Sequence, residues 1–539
     1  MKSNKYILSI LLSGIIGMTA CTDSFERYNT PDGAFTEDLQ DYDFQRQLIP
    51  FKTSQTAIIY QTGVDGTDWQ YQIMQSLAAD MFGGYFHDMK GDFNDKNSTY
   101  NLNLGWTSAQ WSYNYAQGMP AIASAEKIDT KEEYPTFYAV NKIIKVAMMH
   151  RVSDYYGPII YKNFGKDNPA PESQQEVYND FFADLSEAID LLKTHVADNG
   201  PETFAGADIM MPPGKRNYAQ WIKFANSLRL RLAMRVSNVD KSLAEAQTKA
   251  ALDPNNGGVL EKADDTVGEY GIRNPLGGVN GWDEVFMNAN LESFLNGYED
   301  PRMDKYFVPA TGNSGGDGDV AELFPIKNKF KGVRQGTGIV TDNRYVTHSK
   351  TIVTTSTPII VMTAAEVWFL RAEAALRGYV DPGKEAEYYK KGIETSFAQW
   401  GAGDAGAYLT SENVPADYKD AFNAKFDAKA TTSITPKWDD AATNEQKLER
   451  IITQKWLACY PDGCEAWAEQ RRTGYPRLIK VAVNNSGNTI STDDMIRRVF
   501  FNQDYKTDNK ALYDALVSKL GGADNGGTRL WWDTGRNNF

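Results

Sequence analysis

AAEVWFLRAEAALRG (364–378), YVDPGK (379–384) and EAEYYKKGIETSFAQW (385–400) decide the fold. In the first segment Ala364, Val367, Leu370, Ala374 and Leu376 recur at helical spacing, leaving charged residues on the opposite face. Pro382 and Gly383 stop the chain and turn it. The third segment resumes as a second helix. Ala372, Ala375 and Gly392 are small residues placed where two helices would touch. The stretch predicts a helix–turn–helix hairpin of about 34 residues.

The same period extends outward from it. Val177, Phe181, Leu185, Ile189 and Leu192 form one stripe over 175–193. Trp221, Phe224, Leu228, Leu232 and Val236 form another over 219–236. Further stripes run over 137–152 (Phe137, Val140, Ile144, Met148, Val152) and 445–457 (Leu448, Ile451, Ile452, Trp456, Leu457). The helices come in pairs with short turns, a pattern that resembles tetratricopeptide units, although the repeats are irregular. Strands are few and short, with Ile58–Tyr60 and Ile359–Met362 as the candidates. The fold class is therefore mostly α: paired helices as a scaffold, mainly 115–250 and 357–478, and a loop-rich insertion over 253–356. So long a loop region is usually functional.

Composition excludes several functions. The net charge of −14 and the absence of a Lys/Arg cluster argue against a nucleic-acid partner. Four histidines, none at HxH or HExxH spacing, argue against a metal centre. Trp 12, Tyr 29 and Phe 25 make the chain too aromatic for disorder and leave flat faces to spare for stacking on a ring-bearing ligand. No P-loop, G-x-S-x-G elbow or zinc signature appears, so the chain reads as a binder and not an enzyme, and nothing in it asks for a cofactor.

The first residues read as an address. Lys2 and Lys5 precede the apolar run Ile7–Ala20, too short to span a bilayer, which makes residues 1–20 a signal peptide. The run ends MTAC, which resembles a bacterial lipobox with Cys21 as the acylated residue. Several acyl chains on one residue anchor stably. Residues 21–50 then read as a lipidated tether and 51–539 as a single domain.

Four stretches together resemble the SusD/RagB group of outer-membrane nutrient-binding lipoproteins of Bacteroidetes, in its SusD-like branch. They are HRVSDYYGPIIYKNF (150–164), YAQWIKFANSLRLRLAMRVSN (218–238), TPIIVMTAAEVWFLRAEAALRG (357–378) and IITQKWLACYPDGCEAWAEQRRTGYPRL (451–478). With the lipobox they run nearly end to end. The resemblance implies a lipid-anchored protein on the outer face of the outer membrane. It would act as a lid over a SusC-like TonB-dependent transporter, capturing a glycan or similar oligomer and passing it on. The acidic Thr22–Glu26 segment looks like a surface-export signal of such lipoproteins. A peptide ligand, a helical scaffold that binds only protein, and a glycoside hydrolase are the alternatives.

Most conspicuous polar residues read as structural: Asn226, Arg229, Arg231, Arg235, Glu366, Arg371, Glu373, Arg471 and Arg472, with Asp300-Pro301-Arg302 as a turn holding a salt-bridged arginine. Cys459 and Cys464 bracket a Tyr-Pro-Asp-Gly turn in an exported chain, which predicts a local disulfide. A sugar binder needs aromatic faces and hydrogen-bonding side chains on loops. Two stretches supply them. Over 80–115 the candidates are Tyr85, His87, Asn101, Trp106 and Trp111; over 268–283 they are Tyr270, Asn274 and Trp282. Trp111, near a helix start, is the one best explained by core packing.

Overall fold

The computed structural model describes residues 45–539 apart from 60–63, 90–92, 94, 129, 203–205, 313–325 and 339–342. The signal peptide, Cys21 and the tether up to residue 44 lie outside the described residues. Residues Pro50–Phe539 form one unit.

Each expected amphipathic stripe is a helix, and its ends are set by local chemistry. α1 (Met119–Ile128) leads to α2 (Pro135–Tyr156), whose first-turn proline has no amide hydrogen to leave unsatisfied. α3 (Gln174–Asn199) starts in a reciprocal capping box between Ser173 and Glu176. Asn217 caps α4 (Tyr218–Arg235), and Asp240 caps α5 (Lys241–Leu252). Two short helices, α6 (Pro275–Gly281) and α7 (Ala289–Tyr298), break up the loop-rich middle. Thr363 caps α8 (Ala364–Leu376), and α9 (Glu385–Trp400) ends on left-handed Gly401. α10 (Asn444–Ala458) opens with a Thr443–Gln446 box; α11 (Gly463–Thr473) is capped by Asp462. α12 (Lys510–Leu520) follows near the C-terminus.

The helices pack as consecutive pairs, α2 on α3, α4 on α5 and α8 on α9, with α4 and α10 both against α8. Gly392 is where α9 meets α8: a Cβ there would stand 2.7 Å from the Phe369 ring. Strands are minor. β1 (Phe86–His87) pairs antiparallel with β3 (Phe286–Met287), and β2 (Val267–Glu269) with β4 (Ile359–Met362). The strand expected at Ile58–Tyr60 is not formed at its described residues. Ile58 and Ile59 lie in a turn after a helix and are buried there without a ladder.

The helix pairs meet around a buried ionic lattice. Arg231 on α4 pairs with Glu366 on α8 at 2.6 Å. Arg235, one turn on, reaches Glu465 and Glu469 on α11 at 2.5 Å each and Asp154 on α2 at 3.4 Å. Lys455 on α10 lies 2.5 Å from Glu465 and 3.3 Å from Glu469. Arg472 joins Glu469 to Glu373 on α8, both at 2.7 Å, and Arg377 closes on Glu373 at 2.8 Å. Arg151 pairs with Asp462 at 2.8 Å beside it. Six cations thus face six carboxylates, which is how burial of so much charge is tolerated. Arg471 stands apart: its guanidinium lies 3.6 Å from the Trp467 ring centre and donates to the Asp154 and Arg497 carbonyls. The other conspicuous polar residues are structural too. Asn226 ties down the Asn256 and Gly258 carbonyls, Arg229 donates to Gln247, and Arg371 to Glu261. Arg302 pairs with Asp300 at 2.6 Å inside the turn expected for it.

The disulfide expected between Cys459 and Cys464 is not present; both thiols are free and buried. The expected turn does form, the Asp462 amide donating to the Cys459 carbonyl at 2.8 Å, but it hands one helix to the next. Cys459 caps the end of α10, while Cys464 lies in the first turn of α11, 3.8 Å from the Tyr155 hydroxyl. Each side chain follows its own helix. Burial raises both thiols above their ordinary pKa, Cys464 to about 12, so neither is reactive in the folded protein. A chain starting after Cys21 and unfolded without reductant is expected to titrate two thiols with a disulfide-exchange reagent. A disulfide would give none.

Candidate functional site

The first candidate stretch divides between core and surface. Tyr85 is fully buried, stacked on Trp456 with ring centres 5.5 Å apart and edge-on to Tyr460, its hydroxyl donating to the Trp456 carbonyl. His87 is buried in β1 with Nδ1 2.7 Å from the Asp88 carbonyl; burial lowers its pKa to about 4, so the ring is neutral. Trp111 packs among Tyr115, Tyr156 and Phe501, and its Nε1 donates to the Tyr505 hydroxyl at 2.9 Å. These three rings have no free face for a ligand, which corrects the expectation for Tyr85, His87 and Trp111. Gly- and Asn-rich chain usually lies on the surface, but here it threads under α10. Asn101 is exposed, and Trp106 is half-buried, edge-on to Phe93 at 5.1 Å.

The second stretch wraps α6. Asn274 is its buried cap, accepting from the Leu276 amide and donating to the Thr357 carbonyl; these bonds occupy it structurally, which corrects its expected ligand role. Tyr270 is half-buried and donates to the Thr266 carbonyl at 2.6 Å. Trp282 ends α6 and is 36% exposed. The next residue, Asp283, pairs with Lys350.

Asp68 and Trp69 bring the two stretches together. The Asp68 carboxylate binds Arg273 at 2.7 Å and lies over Gly278 in α6, where a Cβ would approach it to 1.9 Å. Only glycine fits there. Trp69 meets Tyr113 edge-on at 6.3 Å and belongs to a helical turn, Trp69–Tyr71, packed on α6. Of the 12 tryptophans, Trp69 at 45% and Trp282 are the two exposed ones. Val308 and Ile352, on extended segments beside Lys350, add exposed apolar surface near Trp282. The sequence reading missed Trp69. It follows a glycine-bearing turn (VDGTDW, 64–69) but lies upstream of the Gly/Asn-rich stretch 80–115.

Charges around this surface are engaged in ion pairs. Arg273 answers Asp65 and Asp68, and Lys350 answers Asp283. Two exposed indoles, with the neighbouring charges held in ion pairs, suit stacking on an uncharged polar ring. A family model described as SusD-like, the SusD and RagB outer membrane lipoproteins, matches residues 27–533.

The chain belongs to the SusD-like family.

SusD-like proteins are nutrient-binding outer-membrane lipoproteins. Solved structures agree in fold. A SusD homologue from Bacteroides vulgatus is 47% identical, covering 92% of this chain and 100% of its own, with a TM-score of 0.86. A chitin-binding SusD homologue from Flavobacterium johnsoniae is 38% identical over 91% of this chain and 99% of its own, with a TM-score of 0.84. A third, from Bacteroides thetaiotaomicron, is 32% identical over 91% and 99%, with a TM-score of 0.82. None of the curated proteins matches. Among the described residues of this SusD-like chain, no helix is long and apolar enough to cross a membrane.

Proposed function

We propose that this protein is a cell-surface lipoprotein that captures an uncharged oligosaccharide on Trp69 and Trp282 and delivers it, unaltered, to a SusC-like TonB-dependent transporter. The observation that carries the reading is that both exposed indoles border α6, Trp69 in a turn packed on it and Trp282 at its end. The helix pairs supply a rigid base, since α4, α8 and α11 are tied to one another by the buried ionic lattice. A rigid platform keeps the ordering cost of binding small. Release to a transporter calls for moderate affinity, and stacking on two aromatic faces provides that without a deep, closed pocket. The chitin-binding name of the Flavobacterium relative makes β-linked amino-sugar oligomers the first ligands to try.

The test is calorimetry of the chain from residue 22 onward with chito-oligosaccharides and other neutral oligosaccharides, followed by an assay for new reducing ends. Saturable binding with no new ends is expected. Co-purification of the tagged, lipidated protein with a barrel in detergent checks the transporter partnership. No complex under those conditions contradicts the delivery role.

A further inference from the structure

A cleft of about 580 Å³, lined by none of the residues of the tryptophan surface, lies between the end of α11 and the chain on either side of Arg334 and Arg536. It falls within the roughly 300–1,000 Å³ of small-ligand sites. Its charge is the reverse of the chain's. Arg334, Lys429, Arg477, Lys480 and Arg536 line it against Asp427, Glu445 and Asp493. Those carboxylates are already engaged: Asp427 by Lys419 at 2.8 Å, Glu445 by the Tyr475 hydroxyl at 2.9 Å, and Asp493 by Lys480.

Two of the guanidiniums are held differently. Arg334 donates to the carbonyls of Lys480, Phe426 and Asp427 at 3.0–3.3 Å, and Arg536 to the Asp493 carbonyl at 3.1 Å. Among the described residues neither has a carboxylate within ion-pair distance. Main-chain carbonyls orient a guanidinium without neutralising it, so its charge remains available to an anion. Arg536 is placed deliberately. Its stem crosses Gly474, where a Cβ would come within 2.8 Å of Cδ, and Gly474 also has the left-handed backbone that ends α11. Arg477, half-exposed and paired with Glu449 at 3.1 Å, extends across the Tyr475 ring at 5.3 Å and brings a third guanidinium to the rim.

We infer that this cleft is a second binding site, for an acidic saccharide whose carboxylate or sulfate group is held by Arg334, Arg477 and Arg536. The saccharide class rests on the proposed function; the anionic group rests on the cleft. Trigalacturonate, its fully methyl-esterified neutral form and a sulfated disaccharide are the probes, measured by calorimetry on the chain from residue 22 at low salt and at about 0.3 M, where screening is short-ranged. One anionic probe is expected to bind, more weakly at high salt, and which one binds tells carboxylate from sulfate. If it is the uronate, the ester is expected to bind at least about tenfold more weakly. Arg536→Gln and Arg477→Gln, both at the rim, are expected to weaken binding about tenfold each, with Arg536→Lys restoring part of it. The Trp69→Ala/Trp282→Ala double variant is expected to retain it. Binding of ester and acid alike, unchanged binding in both Gln variants, or no binding of either anionic probe overturns the inference. Neutral-glycan binding without anionic binding overturns the cleft and leaves the proposed function standing; the converse result does the opposite.

Discussion

Arg235→Ala is expected to lower the unfolding free energy by about 3–5 kcal/mol, the penalty for stranding buried carboxylates without their partner. The Arg235 side chain is fully enclosed and touches three acids on two helices: Asp154 on α2, and Glu465 and Glu469 on α11. Its removal leaves Glu465 to Lys455 and the more distant Arg231, and Glu469 to Lys455 and Arg472. The loss is large against the roughly 5–15 kcal/mol that holds a typical domain together. The pH profile should change as well. Burial raises the pKa of Glu465, but Arg235, Lys455 and Arg231 outweigh it and hold the carboxyl at about 2. A carboxyl depressed in the folded state stabilises fully above its unfolded value near 4.5 and loses that contribution as pH falls toward about 2. Without Arg235 the depression shrinks, so acid unfolding should begin at higher pH. Denaturant melts of wild type and variant at pH 7 and at steps below pH 5 measure both effects. An unchanged midpoint at neutral pH would show that the lattice is dispensable.

Trp69→Ala and Trp282→Ala are each expected to weaken neutral-glycan binding at least about tenfold, close to 1.4 kcal/mol, and the double variant to abolish measurable binding. Stability should hardly move. Each indole is more than a third exposed, and the contacts beneath, Asp68 with Arg273 and Asp283 with Lys350, do not use it. Tyr85→Ala should behave in the opposite way, since Tyr85 fills the core against Trp456 and Tyr460. It should unfold easily, with any loss of binding following the loss of fold. Thermal melts beside calorimetry separate the two patterns.

The helical scaffold was legible because apolar residues repeat at the helical period and the ends carry capping residues, as at Ser173, Thr363 and Thr443. The structural reading of Arg231, Arg235, Glu366 and Arg472 held for a related reason: charges on an apolar helix face need partners from neighbouring helices. The binding surface was only partly legible. Aromatics on Gly/Asn-rich chain look exposed in sequence, but burial depends on which distant element covers them. Tyr85 is covered by α10, more than 350 residues away in sequence, whereas Trp282 is left open. Trp69 lies outside both candidate stretches, and its place beside α6 depends on Asp68 reaching across some 200 residues to Arg273, a contact that no local pattern announces. Cys459 and Cys464 show the limit of turn chemistry: the turn forms, but it joins α10 to α11, and each thiol stays free on its own side of it.

Glycan retention in affinity electrophoresis, wild type beside the Trp69→Ala/Trp282→Ala variant across a panel of neutral polysaccharides, tests the capture surface most directly. At least one polymer should retard the wild type and not the variant, and should be recovered at its original length. Equal retardation of both proteins, retardation of neither by any polymer, or a shortened polymer would contradict capture without cleavage on these two indoles.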